Sequence, residues 1–181
     1  MNHTELEFLK EHIRTIPNFP KEGILFRDVT TLMRDAKAFQ MALDLLANLI
    51  GNIKVDYIAG IESRGFIFGA PLAQKLGVGF IPIRKKGKLP CEVFQVEYQL
   101  EYGTDLLEID KTINATGKKI VLVDDLLATG GTILAGAELV KKCGGEVAKA
   151  IFVVDLPELG AKAKLNAAKI DYSALISYEG H

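Results

Sequence analysis

A chain of 181 residues, 49% hydrophobic and 25% charged, supplies a core for one self-supporting domain and lacks the length for several. Its formal net charge of -1, without a block of like charges, argues against the basic face of a nucleic-acid binder. Its two cysteines, Cys91 and Cys143, lack zinc spacing and argue against a disulfide scaffold. A polar N-terminus and the lack of any ~18-residue apolar run argue against secretion and membrane insertion, so the expectation is a cytoplasmic protein in a reducing compartment.

Thr4-Glu5-Leu6-Glu7 reads as a capping box for a first helix, with Leu6, Leu9 and Ile13 on one face and an end before Pro17. Phe19 to Asp28 is broken by Pro20 and Gly23 and reads as irregular. Asp35 is placed to cap a second helix whose buried stripe is Phe39, Leu43, Leu46 and Ile50. Strands and helices then alternate. Tyr57 to Ile61 is a buried strand, Gly65 to Leu76 a helix stopped by Gly77, and Val78 to Ile83 a second strand. Lys85 to Glu92 is a basic loop, followed by two candidate strands, Val93 to Tyr98 and Thr104 to Ile109. Lys119 to Val123 is the clearest strand. Gly131 to Cys143 is a helix ended by Gly144-Gly145, and Val147 to Val154 and Tyr172 to Ile176 are the last strands. This order predicts an α/β fold with a mainly parallel sheet flanked by helices.

Ligands of such sheets bind beyond the carboxyl ends of the strands. The segment leaving the clearest strand is Asp124-Asp125-Leu126-Leu127-Ala128-Thr129-Gly130-Gly131-Thr132. Small residues and glycines let backbone N–H groups converge on a ligand, and the helix that follows adds free N–H donors and a partial positive charge. Thr129 and Thr132 add hydroxyl donors. Asp124 and Asp125 would repel a phosphate but accept hydrogen bonds from vicinal sugar hydroxyls, so the turn predicts a sugar phosphate. The lysine and spacing of the nucleoside-triphosphatase loop are absent.

Val121 to Thr132 resembles the phosphoribosyl-pyrophosphate segment of the type I phosphoribosyltransferases. Phe26-Arg27-Asp28, Ser63-Arg64-Gly65-Phe66, Arg84 to Pro90 and Leu100-Glu101-Tyr102-Gly103 resemble its adenine branch. The resemblance spans nearly the whole chain and implies one phosphoribosyltransferase domain, with a hood over about residues 1–35 and a mobile flap over about residues 85–105. The implied reaction joins adenine to phosphoribosyl pyrophosphate, giving AMP and pyrophosphate, with Mg2+ brought by the pyrophosphate and no metal ligands of the protein's own. A homodimer is implied as well.

Residue by residue, Ala128, Thr129, Gly130, Gly131 and Thr132 would hold the 5′-phosphate, and Asp124 and Asp125 the ribose hydroxyls. Ser63, Arg64, Arg84 and Lys88 would hold the pyrophosphate, which Arg grips with paired hydrogen bonds. Arg64 and Glu101 are the implied catalytic residues, Glu101 by sharing a proton with the purine N7, while Tyr102 contacts the flap or the sugar. Leu25 and Arg27 would read adenine through their backbones and Phe26 would stack on it. The resemblance also implies unusual, possible cis geometry at Glu62–Ser63. Cys91, in the flap, and Ala161, where glycine is common, depart from the pattern. Two other readings use the same turn: transfer to hypoxanthine, guanine or xanthine, and a non-enzymatic regulator sensing phosphoribosyl pyrophosphate. The Leu-Glu-Tyr-Gly segment argues against the first and near-neutral charge against the second.

Overall fold

A computed structural model describes residues 3–99 and 103–180. The chain opens with α1 (His3–Glu11), β1 (Arg14–Pro17), β2 (Leu25–Asp28), α2 (Thr30–Arg34) and α3 (Ala36–Ile50). It continues with β3 (Tyr57–Ile61), α4 (Arg64–Leu76), β4 (Gly79–Lys85), β5 (Val93–Gln99) and β6 (Thr104–Asp110). It closes with β7 (Lys119–Leu127), α5 (Gly131–Lys142), β8 (Glu146–Asp155), a 3-10 turn (Pro157–Leu159), α6 (Ala161–Ala167) and β9 (Tyr172–Ser177).

Seven strands form one sheet in the order β5-β6-β4-β3-β7-β8-β9. The pairs joining β4, β3, β7, β8 and β9 are parallel, and β6 runs antiparallel to both β4 and β5. From β3 the chain crosses through α4 to β4 on one side, and from β7 it crosses through α5 to β8 on the other. The order therefore reverses between β3 and β7. Their carboxyl ends open the crevice where a sheet of this kind binds ligands.

Period-two alternation divides the core. On β7, Val121 and Val123 pack with Leu46, Phe68 and Leu72 of α3 and α4, while Ile120 and Leu122 pack with Ile133, Leu139 and Val140 of α5. Helix ends follow local chemistry. The Asp35 carboxylate accepts the Ala38 N–H at 2.8 Å and caps α3, and Gly77 closes α4 in the left-handed region at φ 67°. The first turn of α4 lies directly on the strand ends. A Cβ built on Gly60 would stand 2.8 Å from the Gly65 carbonyl oxygen, and one on Gly65 would stand 2.7 Å from that of Val123.

Several boundaries differ from those read in the sequence. Residues Leu25–Asp28 are not irregular but form β2, paired antiparallel with β1. That ladder depends on a partner eleven or so positions upstream, which local patterning cannot reveal. Helix α1 already includes His3, one residue before the Thr4 read as its cap, and the Glu7 carboxylate accepts from the Lys10 ammonium at 3.0 Å. Strand β7 continues past Val123 because Asp124, Leu126 and Leu127 still pair with Phe152, Val154 and Asp155 of β8. Likewise β4 runs through Arg84 and Lys85, which pair with Glu108 and Leu107 of β6. The short helices α2 and α6 had no distinct periodic signal.

Candidate active site

A cavity of about 340 Å³ opens at the crevice between β3 and β7. Its wall includes Ser63 and Arg64 at the start of α4, Asp124 and Asp125 at the end of β7, and Ala128, Thr129, Gly130 and Thr132 beyond it. Eight of the residues singled out in the sequence thus share one cavity, although they come from two segments about sixty positions apart.

The turn is built as an anion seat. Gly130 adopts φ 83° and serves as the N-cap of α5 without a side-chain hydrogen bond, leaving the first turn's N–H groups uncapped by any side chain. Gly131 begins α5; a Cβ there would stand 2.9 Å from the Gln99 carbonyl oxygen, so the end of β5 rests against it. The turn is supported from behind by α6. The Lys164 ammonium donates to the Thr129 carbonyl at 2.9 Å, and a Cβ on Gly130 would approach that of Ala161 to 3.2 Å.

The two carboxylates have different surroundings. Asp125 is only 5% exposed, and its Oδ2 accepts the Arg64 Nε–H at 2.5 Å. Asp124 accepts the Asp125 N–H at 2.9 Å. Burial, then the charge of Asp125, pushes the Asp124 carboxyl well above the ordinary carboxylate range. Burial opposes the charge of Arg64, but Asp125 and Asp124 outweigh it and hold the guanidinium more basic than usual. Tyr98, also on the wall, is pushed up to about 12 by burial and by Asp105, whose carboxylate accepts its hydroxyl at 3.2 Å.

The Glu62–Ser63 peptide is cis. The Glu62 carboxylate accepts from Arg84 at 3.3 Å through both oxygens and from the Lys85 N–H at 2.9 Å. Burial works against its charge, but these donors hold its pKa below the ordinary value. Arg84 also donates to the Lys88 carbonyl at 3.0 Å. Arg84 and Lys88 are not on this wall; Lys85 and Arg64 are the basic residues that line the cavity.

A second cavity of about 270 Å³ lies under the β1–β2 hairpin, lined by Ile16, Phe19, Phe26, Arg27, Asp28 and Arg64 among others. Phe19 and Phe26 meet edge to face with centroids 5.2 Å apart. Arg27 stacks over the Tyr178 ring at 4.1 Å and donates to the Thr15 hydroxyl at 2.6 Å. Asp28, 6% exposed, binds Arg14 at 2.6 Å and the Thr30 hydroxyl. The Thr30 hydroxyl is the main cause of its lowered pKa, with burial opposing. Leu25 is on the same hairpin but not on the cavity wall. Arg64 borders both cavities.

Glu101 and Tyr102 lie outside the described residues. Sequence reasoning overlooked the parts of Tyr98, Phe152 and Lys164. Strand alternation was the available signal for Tyr98. Nothing local marks Phe152, which arrives through β8, or Lys164, which arrives through α6.

The sequence pattern of the family described as phosphoribosyl transferase domain matches residues 29–173. The adenine phosphoribosyltransferase of Chelativorans sp. (strain BNC1) is 54% identical over 169 residues, 93% of each chain. That of Yersinia pseudotuberculosis (serotype O:1b, strain IP 31758) is 50% identical over 177 residues, covering 98% of this chain and 95% of the relative. Among solved structures, the adenine phosphoribosyltransferase of Thermoanaerobacter pseudethanolicus superposes with a TM-score of 0.91 at 52% identity, covering 96% of this chain and 99% of that one. The Saccharomyces cerevisiae protein, complexed with an imino-altritol bisphosphate and adenine, gives 0.89 at 41% identity, covering 97% of this chain and 100% of that one.

Proposed function

The chain belongs to the phosphoribosyltransferase family, in its adenine branch, and from that premise we propose how its residues divide the reaction. The enzyme transfers the 5-phosphoribosyl group of phosphoribosyl pyrophosphate to adenine, forming AMP and pyrophosphate.

In our reading the 5′-phosphate sits on Ala128 to Thr132, against the first-turn N–H groups of α5 and the Thr129 and Thr132 hydroxyls. Asp124 and Asp125 accept the ribose hydroxyls. Their place at the end of β7, beside the turn, supports this. Burial and the charge of Asp125 make ionisation of Asp124 costly, so hydroxyl donors have more to stabilise there than at an ordinary surface carboxylate. The pyrophosphate would lie against Ser63 and Arg64, with Arg84 and Lys88 adding positive charge. Fixed cations stabilise the charge that gathers on the leaving oxygen.

Adenine would enter the aromatic cavity, stacked on Phe26 and read by the backbone of Leu25 and Arg27. Its ring nitrogen attacks the anomeric carbon as the bond to pyrophosphate breaks. Glu101 would balance the proton on N7, and Tyr102 would close against the sugar. The segment of about residues 1–35 would act as the hood and about residues 85–105 as the flap that excludes water.

Mg2+ is proposed as the cofactor. Among the described residues, no group of three or more His, Cys, Asp or Glu is placed to hold a metal ion. Magnesium brought by the substrate pyrophosphate needs no such cage, because it keeps several waters and binds mainly through substrate phosphates. Bound there, it would offset pyrophosphate charge. A cytoplasmic homodimer is the proposed state. Ile67, 42% exposed on α4, offers an apolar contact for a second copy. No helix among the described residues is long and apolar enough to cross a membrane.

One observation carries this reading: an anion seat and two carboxylates share a cavity that meets an aromatic one at Arg64. A panel of purine bases with labelled phosphoribosyl pyrophosphate tests it. Adenine should be consumed far faster than the 6-oxo purines; faster turnover of hypoxanthine would reverse the choice of base.

A further inference from the structure

We propose that Lys164 is a positioning residue of the phosphate turn, fixing the Thr129–Gly130 peptide so that its N–H faces the substrate phosphate. The inference rests on the reading of Ala128 to Thr132 as the phosphate seat.

Lys164 belongs to α6, which is anchored by Ala161 (1% exposed) and Leu165 (0%). Its side chain leaves that anchored helix and ends 2.9 Å from the Thr129 carbonyl oxygen. Thr129 and Gly130 line the 340 Å³ cavity and Lys164 does not, so the ammonium holds the carbonyl on the far side of the turn. The Thr129–Gly130 peptide is trans, since the cis bonds among the described residues are Phe19–Pro20 and Glu62–Ser63. In a trans peptide the C=O and N–H of one plane point in opposite directions. Holding the Thr129 oxygen outward therefore aims the Gly130 N–H inward.

Such a device is needed at this position. Gly130 is in the left-handed region at φ 83°, and glycine rotates through its neighbouring peptide planes with little steric resistance. A flipped plane would present a carbonyl dipole to the phosphate in place of a donor. Ala161, 3.2 Å from where a Gly130 Cβ would stand, restricts the turn from the same side, so α6 works as a backstop with Lys164 as its polar contact. Lys164 also brings positive charge near the phosphate, but it is exposed and the charge is screened by solvent.

The test compares Lys164→Met and Lys164→Arg in the full-length enzyme by steady-state kinetics and thermal melting. Lys164→Met should raise the KM for phosphoribosyl pyrophosphate by about fivefold to twentyfold, the effect of losing one charge-assisted hydrogen bond at an exposed position. The KM for adenine should change less than twofold and Tm by less than about 2 °C, with most of the loss recovered in Lys164→Arg. An unchanged KM for phosphoribosyl pyrophosphate in Lys164→Met, or a uniform loss in kcat and both KM values, overturns the proposal. Thr132→Ala separates this from the underlying reading. If Thr132→Ala weakens phosphoribosyl pyrophosphate and Lys164→Met does not, the positioning role fails alone. If neither variant matters, the phosphate seat itself is misplaced.

Discussion

Replacing Gly65 by alanine tests whether the first turn of α4 is seated on backbone. The added Cβ would stand 2.7 Å from the Val123 carbonyl oxygen, 3.2 Å from Asp124 Oδ1 and 3.4 Å from Asp124 Cα. Carbon–oxygen contacts of this kind are ordinarily about 3.3 Å or longer, so about 0.6 Å must be found. The nearest atom is backbone in the middle of the sheet, paired on both sides, and yields little. Overpacking of this sort costs about 1–3 kcal/mol, and the better helix propensity of alanine returns up to about 1 kcal/mol. A net loss of about 1–2 kcal/mol lowers Tm by about 3–6 °C in a chain of this size. The shift also carries Ser63 and Arg64 away from Asp125, so kcat/KM for phosphoribosyl pyrophosphate should fall at least tenfold, as sub-ångström displacements can produce. Gly136→Ala is the control. Its Cβ would meet the Ile61 Cδ1 at 3.2 Å, the free end of a side chain that can give way, so Tm should stay within about 2 °C of the parent. Melting curves and initial rates on both variants decide the matter. If Gly65→Ala matches Gly136→Ala in Tm and leaves the KM for phosphoribosyl pyrophosphate alone, α4 is not held by this contact.

Glu101→Gln should lower kcat by at least ~10²-fold with little change in phosphoribosyl pyrophosphate affinity, read by rates and calorimetry; equal turnover would remove Glu101 from the chemistry. Asp124→Asn should raise the KM for phosphoribosyl pyrophosphate and flatten the dependence of Tm on pH. The folded state holds the Asp124 proton beyond the ordinary value of 3.8, so this group favours folding below that pH, and the contribution is lost as pH climbs through the raised value. Asparagine has no proton to lose, so the variant should gain in Tm relative to the parent toward neutral pH; parallel Tm–pH curves would contradict the assigned shift.

Much of this arrangement was legible in the chain. The β-branched run before Asp124, the glycines after Ala128 and the alternation of strands with helices each have a local cause. They located the sheet and the turn after β7, and eight of the expected site residues do meet in one cavity. What escaped was non-local. Leu25–Asp28 becomes a strand only through Arg14–Pro17, and β7 outruns its apolar stretch only because β8 lies beside it. Arg64 was read as a clamp for pyrophosphate; its ion pair with Asp125, between residues 61 positions apart, was not foreseen. No spacing rule connects Thr129 with Lys164.

Arg64 begins α4 and borders both cavities. A single guanidinium is a shared wall between two chambers, and it is tethered to Asp125. With pyrophosphate and adenine placed as proposed, an anion that draws Arg64 toward the larger chamber would reshape the smaller one. By linkage, the factor by which pyrophosphate alters the grip on a purine must equal the factor by which the purine alters the grip on pyrophosphate. On the proposed assignment of the two chambers, Arg64 is the side chain through which the two substrates would be coupled.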